Sequence, residues 1–246
     1  MTRSAPRSPG LRALLGRLAE ADPDGPRDRP AITISYAQSL DGSIAALPGE
    51  PLRLSGNRAL TFTHRLRSCH DAILVGIGTV LADDPRLTVR LARGDDPRPV
   101  VLDSRLRLPP DARLITGALG GRRPVVATTD QAPEDRASRL EATGVAVLRF
   151  PSRDGRVPFG PLLAELRRRG VRRVLVEGGG QVLTSLFAER LADWVVITVA
   201  PRLVGGEPAL AQVPAPAELA ELGWDRFGCD LVFAGRPRFE AADAAA

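Results

Sequence analysis

The amino-acid sequence predicts a single α/β domain with one mostly parallel sheet, helices on both faces and an antiparallel edge at the C-terminal end. Strand-like apolar segments alternate with helix-like segments through most of the 246 residues, which is typical of a parallel sheet covered by helices. Two strands run into glycine turns, at residues 76–78 and 178–180. Two short strand segments, 231–234 and 238–240, lie close together near the end of the chain and predict the antiparallel edge.

The elements follow from local patterns in chain order. Residues 1–30 are predicted to be an extension, with a disordered lead and one short helix over residues 11–20. The first strand alternates Ile32 and Ile34 with polar residues and ends in Ser-Leu-Asp-Gly at 39–42. Further helices are predicted at residues 57–69, directly after 78, and at 133–142, 159–169 and 183–191. Further strands are predicted at residues 72–75, 99–103, 124–128, 145–150, 174–176 and 194–199.

The stretch from residue 171 to residue 193 places a carboxylate and three glycines between a strand and a helix. Glu177 closes the strand, and Gly179 lies in the middle of the turn. Glycines let a ligand approach the backbone, and the first N–H groups of a helix attract an anion. In an open α/β sheet, ligands bind at the carboxyl ends of the strands. The stretch therefore predicts either a phosphate site beside a carboxylate or a tight corner that binds nothing.

Composition and charge argue against several function classes. The net charge of +5 comes from arginine alone, because the chain has no lysine. The arginines are scattered and only 4% of the residues are aromatic, which argues against nucleic acid as a partner. Two histidines and two cysteines do not favour a zinc site or a Ser-His-Asp triad, so no metal is expected. No segment has the length of a membrane span or a secretory signal, and a cytoplasmic protein with reduced thiols is expected.

Three further motifs each allow two interpretations. The turn around Asp41 is an ordinary turn or part of a site. The acidic pair at 83–84, which precedes Pro85, is a cap or turn, or else an acid/base or magnesium site. Ser104 and the arginines that follow it suit a phosphate and suit solvent equally well.

Four motifs, taken together, resemble the reductase domain of riboflavin biosynthesis. They are SLDG at 39–42, LRSCHDAILVGIGTVLADDPRLTVR at 66–90, VVLDS at 100–104 and VEGGG at 176–180. The similarity extends from about residue 32 to residue 206, and the motif at 66–90 is long and specific. The resemblance implies a three-layer, dihydrofolate-reductase-like fold.

The resemblance also implies an activity. Enzymes of this family use NADPH to reduce the ribosyl group of a 5-amino-6-(5-phosphoribosylamino)pyrimidinone to the ribitylamino compound. The reductase domain is expected at residues 31–240, with a frayed tail at 241–246. In many bacteria this domain is fused to a zinc deaminase. The chain lacks the H-x-E and P-C-x-x-C motifs of that enzyme, so no fused deaminase is expected. An open sheet edge and the resemblance together favour a homodimer.

Roles for individual residues follow from the matching positions. Ala37 and Ser39 to Gly42 are expected near the nicotinamide of the cofactor. Thr79 and Asp83 are expected to contact the cofactor, and Ser104 to lie at its adenosine end. The residues expected around the pyrophosphate are Gly179, Gly180, Gln181, Val182 and Leu183. The residues expected at the substrate are Arg67, Leu87, Arg90 and Glu177. The two arginines suit the ribose phosphate, because guanidinium groups match a phosphate dianion in fork geometry. Glu177 or Asp41, directly or through water, is expected to manage the proton that the imine nitrogen takes up.

Two departures from the family pattern lie near the expected substrate. Ser43 stands where the family commonly has a basic residue, and residues 51–54 replace a polar segment. They leave open a reductase that acts on a related pterin or pyrimidine in specialised metabolism. They also leave open a non-catalytic NADP-binding protein of the same fold.

Overall fold

The fold was obtained as a computed structural model, which describes residues 11–19, 27–117, 122–211, 213 and 216–239. The helices in this part of the chain are α1 (Leu11–Ala19), α2 (Asn57–Ser68), α3 (Ile77–Asp83), α4 (Arg113–Thr116), α5 (Glu134–Glu141), α6 (Phe159–Arg168) and α7 (Gly180–Ala188). The strands are β1 (Ala31–Ser39), β2 (Ser43–Ala45), β3 (Ala72–Gly76), β4 (Arg98–Leu102), β5 (Val125–Thr129), β6 (Ala146–Phe150), β7 (Arg173–Val176), β8 (Trp194–Ala200), β9 (Glu207–Pro208), β10 (Ala217–Phe227) and β11 (Asp230–Phe239). The predicted alternation of strands and helices is confirmed.

The main sheet has nine strands in the order β10-β11-β8-β1-β7-β3-β4-β5-β6. All neighbours from β8 to β6 pair in parallel. Strand β7 lies in the middle, where Val176 pairs with Ile34 of β1 and Leu74 of β3. The carboxyl ends of β1, β7, β3 and β4 therefore meet at one edge of the sheet, where ligands bind in folds of this kind.

Helices cover both faces of the sheet, as the sequence predicts. Helices α1 to α5 place Leu14, Phe62 and Val80, among others, in the apolar cluster on one face. Helices α6 and α7 place Leu162 and Leu183 in the cluster on the other face. Central strands are buried on both sides because each face packs against helices. The result is the predicted three-layer arrangement.

The antiparallel edge is larger than predicted. Strands β10 and β11 form a hairpin, and β11 also pairs antiparallel with β8. The prediction of a separate strand at 238–240 is wrong: Arg238 and Phe239 continue β11, and residue 240 lies outside the described residues. Strand β10 was not predicted because most of its side chains are exposed or half-buried, which leaves the sequence without a clear apolar alternation.

Helix α1 packs against the main sheet. Its side chains Leu11, Leu14 and Leu18 are buried. The guanidinium carbon of Arg17 lies 5.0 Å from the ring centre of Trp194 on β8, a cation–π distance. The predicted end of this helix at residue 20, the disordered lead at 1–10 and the frayed tail at 241–246 lie outside the described residues. No helix of the described residues is both long and apolar enough to cross a bilayer.

The tip of the C-terminal hairpin anchors helix α2, which carries several predicted site residues. Gly56 precedes the helix and has no side chain to cap it. The Oδ2 atom of Asp230, 1% exposed, accepts a hydrogen bond of 2.7 Å from the Gly56 N–H. Nearby, the ring centres of Phe62 and Phe227 lie 4.9 Å apart. The carboxylate of Asp230 thus supplies the helix cap from 174 residues further along the chain.

Asp230→Ala is expected to lower the free energy of unfolding by about 1–2 kcal/mol, because it leaves the half-buried Gly56 N–H without its acceptor. Urea denaturation measures this change. Asp230→Asn, which keeps an oxygen acceptor, is the matched control and should lose less. An unchanged denaturation midpoint in the alanine variant would show that the cap contributes nothing to stability.

Candidate active site

The sheet topology brings the predicted site residues to one edge. Ala37 and Ser39 lie at the end of β1, Glu177 follows β7, Thr79 lies in α3 directly after β3, and Ser104 follows β4. These strands are neighbours in the sheet, so residues separated by more than 100 positions share one region. The motifs of the sequence thus converge in space.

Glu177 is held by Arg67 in a two-pronged ion pair. The Nε atom of Arg67 donates to Glu177 Oε1 at 2.8 Å, and one terminal nitrogen donates to Oε2 at 2.6 Å. The other terminal nitrogen donates to the Thr88 carbonyl at 3.0 Å. Burial lowers the pKa of Arg67, but the charge of Glu177 and its hydrogen bond outweigh burial and hold that pKa above its usual value. The guanidinium group of Arg67 is therefore charged, and three of its N–H donors are in use.

Because Arg67 is paired with Glu177, the expectation that two arginines bind the substrate phosphate now depends on Arg90. Arg67 is buried and its guanidinium is bound to Glu177. The side chain of Arg90 is exposed, and within the described part of the chain its one hydrogen bond, of 2.9 Å, goes to the hydroxyl of Thr88. Partial burial and the positive charges of Arg67, Arg86 and Arg113 lower the pKa of Arg90. Such crowding of positive charge favours an anion beside Arg90.

Leu87 lies in this region with an unusual backbone. Its φ angle is 55°, in the left-handed region that residues with a side chain seldom adopt. Its own side chain is 2% exposed and belongs to the core. The bend at Leu87 turns the chain after the acidic pair at 83–84, so that residues 88–90 run past Arg67.

The glycine turn combines a packing role with an open position. An added Cβ at Gly178 would lie 2.8 Å from the Cβ of Val182, which is too close for a normal contact. An added Cβ at Gly179 would meet only the hydroxyl of Thr79, at 3.6 Å, within 4 Å. Gly179 caps α7 without a side-chain hydrogen bond, and the first N–H groups of a helix lack intrahelical partners. Gly178 therefore fits the tight-corner interpretation, Gly179 has open space around it, and the phosphate site at this turn stays a prediction.

A cleft of about 510 Å³ opens beside this turn. Its polar and small lining residues come from four loops or helix starts: Gly76, Gly78, Asp103, Ser104, Arg105, Arg107, Arg156, Gln181 and Ser185. Of the residues expected at the pyrophosphate, Gln181 and Val182 line the cleft. Leu183 points into the core and is 0% exposed, so it can contact a ligand only through its backbone.

Asp103 shapes the loop that carries Ser104. It is fully buried, and its Oδ2 accepts a 2.8 Å hydrogen bond from the Leu108 N–H. Burial raises the pKa of Asp103, while backbone N–H groups of the loop oppose the shift. Its Oδ1 has no hydrogen-bond partner among the described residues. The buried carboxyl group thus holds the 104–108 loop in place through its hydrogen bond to Leu108.

The carboxylate of Asp41 holds the loop after β8 by hydrogen bonds, an arrangement that we call the loop clamp. Its carboxylate accepts hydrogen bonds from the backbone N–H groups of Val204 at 3.0 Å and Gly205 at 2.6 Å, and from the hydroxyls of Ser39 and Ser43. These bonds, led by that from Ser39, hold the pKa of Asp41 well below its usual range. A carboxylate so stabilised in its charged form is a poor proton donor. The geometry gives Asp41 a positioning role, and its expected part in proton transfer loses support.

Ser43 is part of the same clamp, which the sequence did not reveal. It is 3% exposed, and its hydroxyl accepts a 3.0 Å hydrogen bond from the Gly206 N–H. The strands β2 and β9 pair beside it. The departure at Ser43 therefore has a structural explanation, because the side chain holds the loop after β8 in place.

Asp83 and Asp84 separate into different environments. Asp84 ends α3 in a left-handed conformation, with φ of 40°, and its Oδ1 accepts a 2.8 Å hydrogen bond from the Arg113 N–H. It is thus a cap and a link to α4. Partial burial raises the pKa of Asp83, and no hydrogen bond to its side chain occurs among the described residues, which leaves it available to a ligand.

Comparison with known proteins agrees with this geometry. The family model of the RibD C-terminal domain matches residues 30–233. The 2,5-diamino-6-ribosylamino-4(3H)-pyrimidinone 5′-phosphate reductase of Archaeoglobus fulgidus is 41% identical, over 72% of this chain and 83% of the relative. The protein of the same name in Eremothecium gossypii is 35% identical, over 94% of this chain and 98% of the relative.

Solved structures give the same result for the fold. The riboflavin biosynthesis reductase of Saccharomyces cerevisiae superimposes with a TM-score of 0.73 at 26% identity, over 93% of this chain and 97% of that one. A dihydrofolate reductase of Enterococcus faecalis, complexed with NADP(H), shares the fold alone, with a TM-score of 0.50 at 14% identity over 86% and 97%. The predicted fold class and family are confirmed, and the chain belongs to the RibD C-terminal domain family.

Proposed function

We propose that this enzyme uses NADPH to reduce the ribosyl group of a 5-amino-6-ribosylaminopyrimidinone 5′-phosphate to the ribitylamino compound, a step of riboflavin biosynthesis. The observation that carries the proposal is the ion pair of Glu177 and Arg67, which lies directly beside the open glycine turn. Glu177 directly precedes the glycine turn at 178–180, and its partner Arg67 is hydrogen-bonded to the segment that carries Arg90. The names of the relatives support the substrate class.

The cofactor site is supported by its shape and its charges. Gly179 leaves room at the start of α7 for a diphosphate, which the N–H groups of the first turn can bind. Arg105, Arg107 and Arg156 line the neighbouring cleft. Guanidinium groups suit the additional 2′-phosphate that distinguishes NADPH from NADH. When bound, the cofactor supplies the hydride, and the protein supplies position and charge.

The residues of the chain then act on the substrate. Arg90 binds the 5′-phosphate, because its exposed guanidinium group lies among the positive charges of Arg67, Arg86 and Arg113. Glu177, fixed by Arg67, accepts hydrogen bonds from the opened sugar and holds its C1′ against the nicotinamide. As C1′ gains the hydride, the imine nitrogen must gain a proton. We assign that proton to a water molecule oriented by Glu177, since the pKa of Asp41 lies far too low for an acid.

A turnover assay tests the proposal. Purified protein is mixed with NADPH and the ribosylamino phosphate, in its 2-amino and 2-oxo forms, and the absorbance of reduced nicotinamide is followed. We expect oxidation of NADPH with at least one form, and slower oxidation of NADH. Failure to bind either nicotinamide would refute the proposal. Tight binding of NADPH without turnover of any pyrimidine or pterin would instead identify a non-catalytic NADP-binding protein.

Arg90→Ala is expected to raise the KM for the phosphorylated substrate by about 10- to 100-fold, because a charge-assisted phosphate contact contributes roughly 1.5–3 kcal/mol. The dissociation constant of NADPH should stay unchanged. Steady-state kinetics and fluorescence titration measure the two quantities. Arg139→Ala, in an exposed pair with Asp135 on α5, is the control and should change neither. Equal losses for substrate and NADPH would place Arg90 at the cofactor or in the fold.

We also propose a homodimer that works in the cytoplasm. Trp224 and Leu222, on strand β10 at the end of the sheet, are 57% and 40% exposed. Exposed apolar side chains on an edge strand favour pairing with a second copy. Cys69 and Cys229 are free thiols, which suits a reducing compartment. Light scattering of the purified protein measures the mass, and a monomer at micromolar concentration would count against the dimer.

A further inference from the structure

The segment that carries Arg90 is held in place by side chains. Residues 88–90 belong to no strand or helix. Three consecutive backbone groups each have a side-chain partner: the Thr88 carbonyl with a terminal nitrogen of Arg67 at 3.0 Å, the Val89 N–H with Asp96 Oδ1 at 2.6 Å, and the Arg90 N–H with His64 Nδ1 at 2.9 Å. The position of Arg90 thus depends on these three partners.

His64 is the partner that directly binds the backbone of Arg90. It lies on α2, three residues before Arg67, and its side chain is 0% exposed. Because Nδ1 accepts the hydrogen bond, the proton of the neutral ring is on Nε2. That Nε2 has no hydrogen-bond partner among the described residues. A buried N–H without a partner destabilises the fold, and an apolar side chain would fill the space without that penalty. Packing alone therefore does not explain the imidazole.

The surroundings keep the ring neutral. Burial, followed by the positive charges of Arg67 and Arg90, lowers the pKa of His64 to about 4, while Glu177 and Asp96 act in the opposite direction. The ring therefore has a lone pair on Nδ1 at physiological pH. It can accept the hydrogen bond from Arg90 throughout the pH range in which the enzyme is expected to work.

We infer that His64 is a positioning residue for substrate specificity: its Nδ1 fixes the backbone of Arg90, so that the guanidinium group meets the 5′-phosphate. This inference rests on the proposed function and extends it to a residue that does not touch the substrate. A preformed phosphate contact loses less conformational entropy on binding than a mobile arginine side chain on a loose segment. His64 therefore acts on discrimination between phosphorylated and unphosphorylated substrates.

Two substitutions at His64 separate this role from a packing role. His64→Leu fills the cavity but removes the acceptor, whereas His64→Asn places an oxygen near the position of Nδ1. For His64→Leu we expect the KM for the phosphorylated substrate to rise about tenfold. The kcat/KM for the dephosphorylated substrate and the dissociation constant of NADPH should stay unchanged. The asparagine variant should recover most of the loss. The melting temperature of His64→Leu should change little, because the variant removes the unpaired Nε2–H together with the acceptor of the half-buried Arg90 N–H.

A second variant and a second readout keep the inference testable. Asp96→Ala removes a half-buried carboxylate and leaves the Val89 N–H without its acceptor. It should raise the KM for the phosphorylated substrate as His64→Leu does, without changing the kcat/KM for the dephosphorylated substrate. Calorimetric titration with ribose 5-phosphate should show about tenfold weaker binding to both variants. Unchanged binding, or equal losses for both substrates, would overturn the inference. If the unaltered protein neither turns over the substrate nor binds ribose 5-phosphate, the proposed function itself fails.

Discussion

Replacing Arg67 by methionine is expected to lower kcat/KM by roughly a hundredfold and the free energy of unfolding by about 3 kcal/mol. The substitution leaves Glu177 without its bidentate partner and the Thr88 carbonyl without its donor. Removing one member of a buried ion pair leaves an uncompensated charge. The expected loss of about 3 kcal/mol lies at the lower end of the values for buried ion pairs, because 11% of the Arg67 side chain and 17% of the Glu177 side chain stay exposed. Steady-state kinetics and urea denaturation measure the two effects.

The double variant Arg67→Met with Glu177→Met separates the two effects. Removing both charges should restore most of the lost stability, since apolar pairs often replace buried ion pairs without a penalty. Activity should stay as low as in Arg67→Met or fall further, because the carboxylate that is proposed to bind the sugar is gone. A double variant as unstable as the single one would mean that Arg67 acts through Thr88 rather than through Glu177. Recovery of activity would remove Glu177 from the proposed mechanism.

The ion pair matters because it joins two halves of the site. Glu177 follows the central strand β7 beside the glycine turn, while Arg67 lies on α2 and reaches the segment before Arg90. Helix α2 also carries His64 and is capped by Asp230 from the C-terminal hairpin. A single helix thus sets the distance between the glycine turn and Arg90. In the proposed reaction, this distance decides whether C1′ of the sugar meets the hydride donor.

The sequence predicted the parts of the fold that depend on short-range patterns. Buried parallel strands such as β3 and β7 are recognisable as apolar runs, and glycine turns mark their carboxyl ends. Strand β10 was missed because few of its side chains are buried, and its pairing with β11 comes from tertiary contacts. Local patterns contain little information about an exposed edge strand.

For the site, the sequence predicted individual residues but not their partners. Arg67 and Glu177 were assigned separately to the substrate, yet they bind each other across 110 residues. Asp41 was considered for proton transfer, but Val204 and Gly205 occupy its carboxylate. Such pairings depend on the order of strands in the sheet, which spacing along the chain does not reveal. The roles of the individual site residues stay predictions that the proposed variants test.

The glycine turn offers the sharpest test of the cofactor site, because its glycines differ in the room around them. Gly179→Val is expected to weaken NADPH binding by about a hundredfold, which corresponds to roughly 2.7 kcal/mol. A side chain at this position occupies the space in which a diphosphate approaches the first turn of α7. The fold should tolerate it, because Gly179 has a φ of −70° and an added Cβ meets only Thr79, at 3.6 Å. Fluorescence titration with NADPH and thermal unfolding without it measure the two quantities.

Gly178→Ala is the matched control, one residue away in the same turn. Its Cβ would lie 2.8 Å from the Cβ of Val182, so this variant should lose thermal stability even without a cofactor. Gly179→Ala should keep its stability and lose part of its NADPH affinity, in proportion to the smaller side chain. If Gly179→Val binds NADPH as tightly as the unaltered protein, the diphosphate does not lie at this turn. In that case Gly178 accounts for the whole motif as a tight corner between β7 and α7.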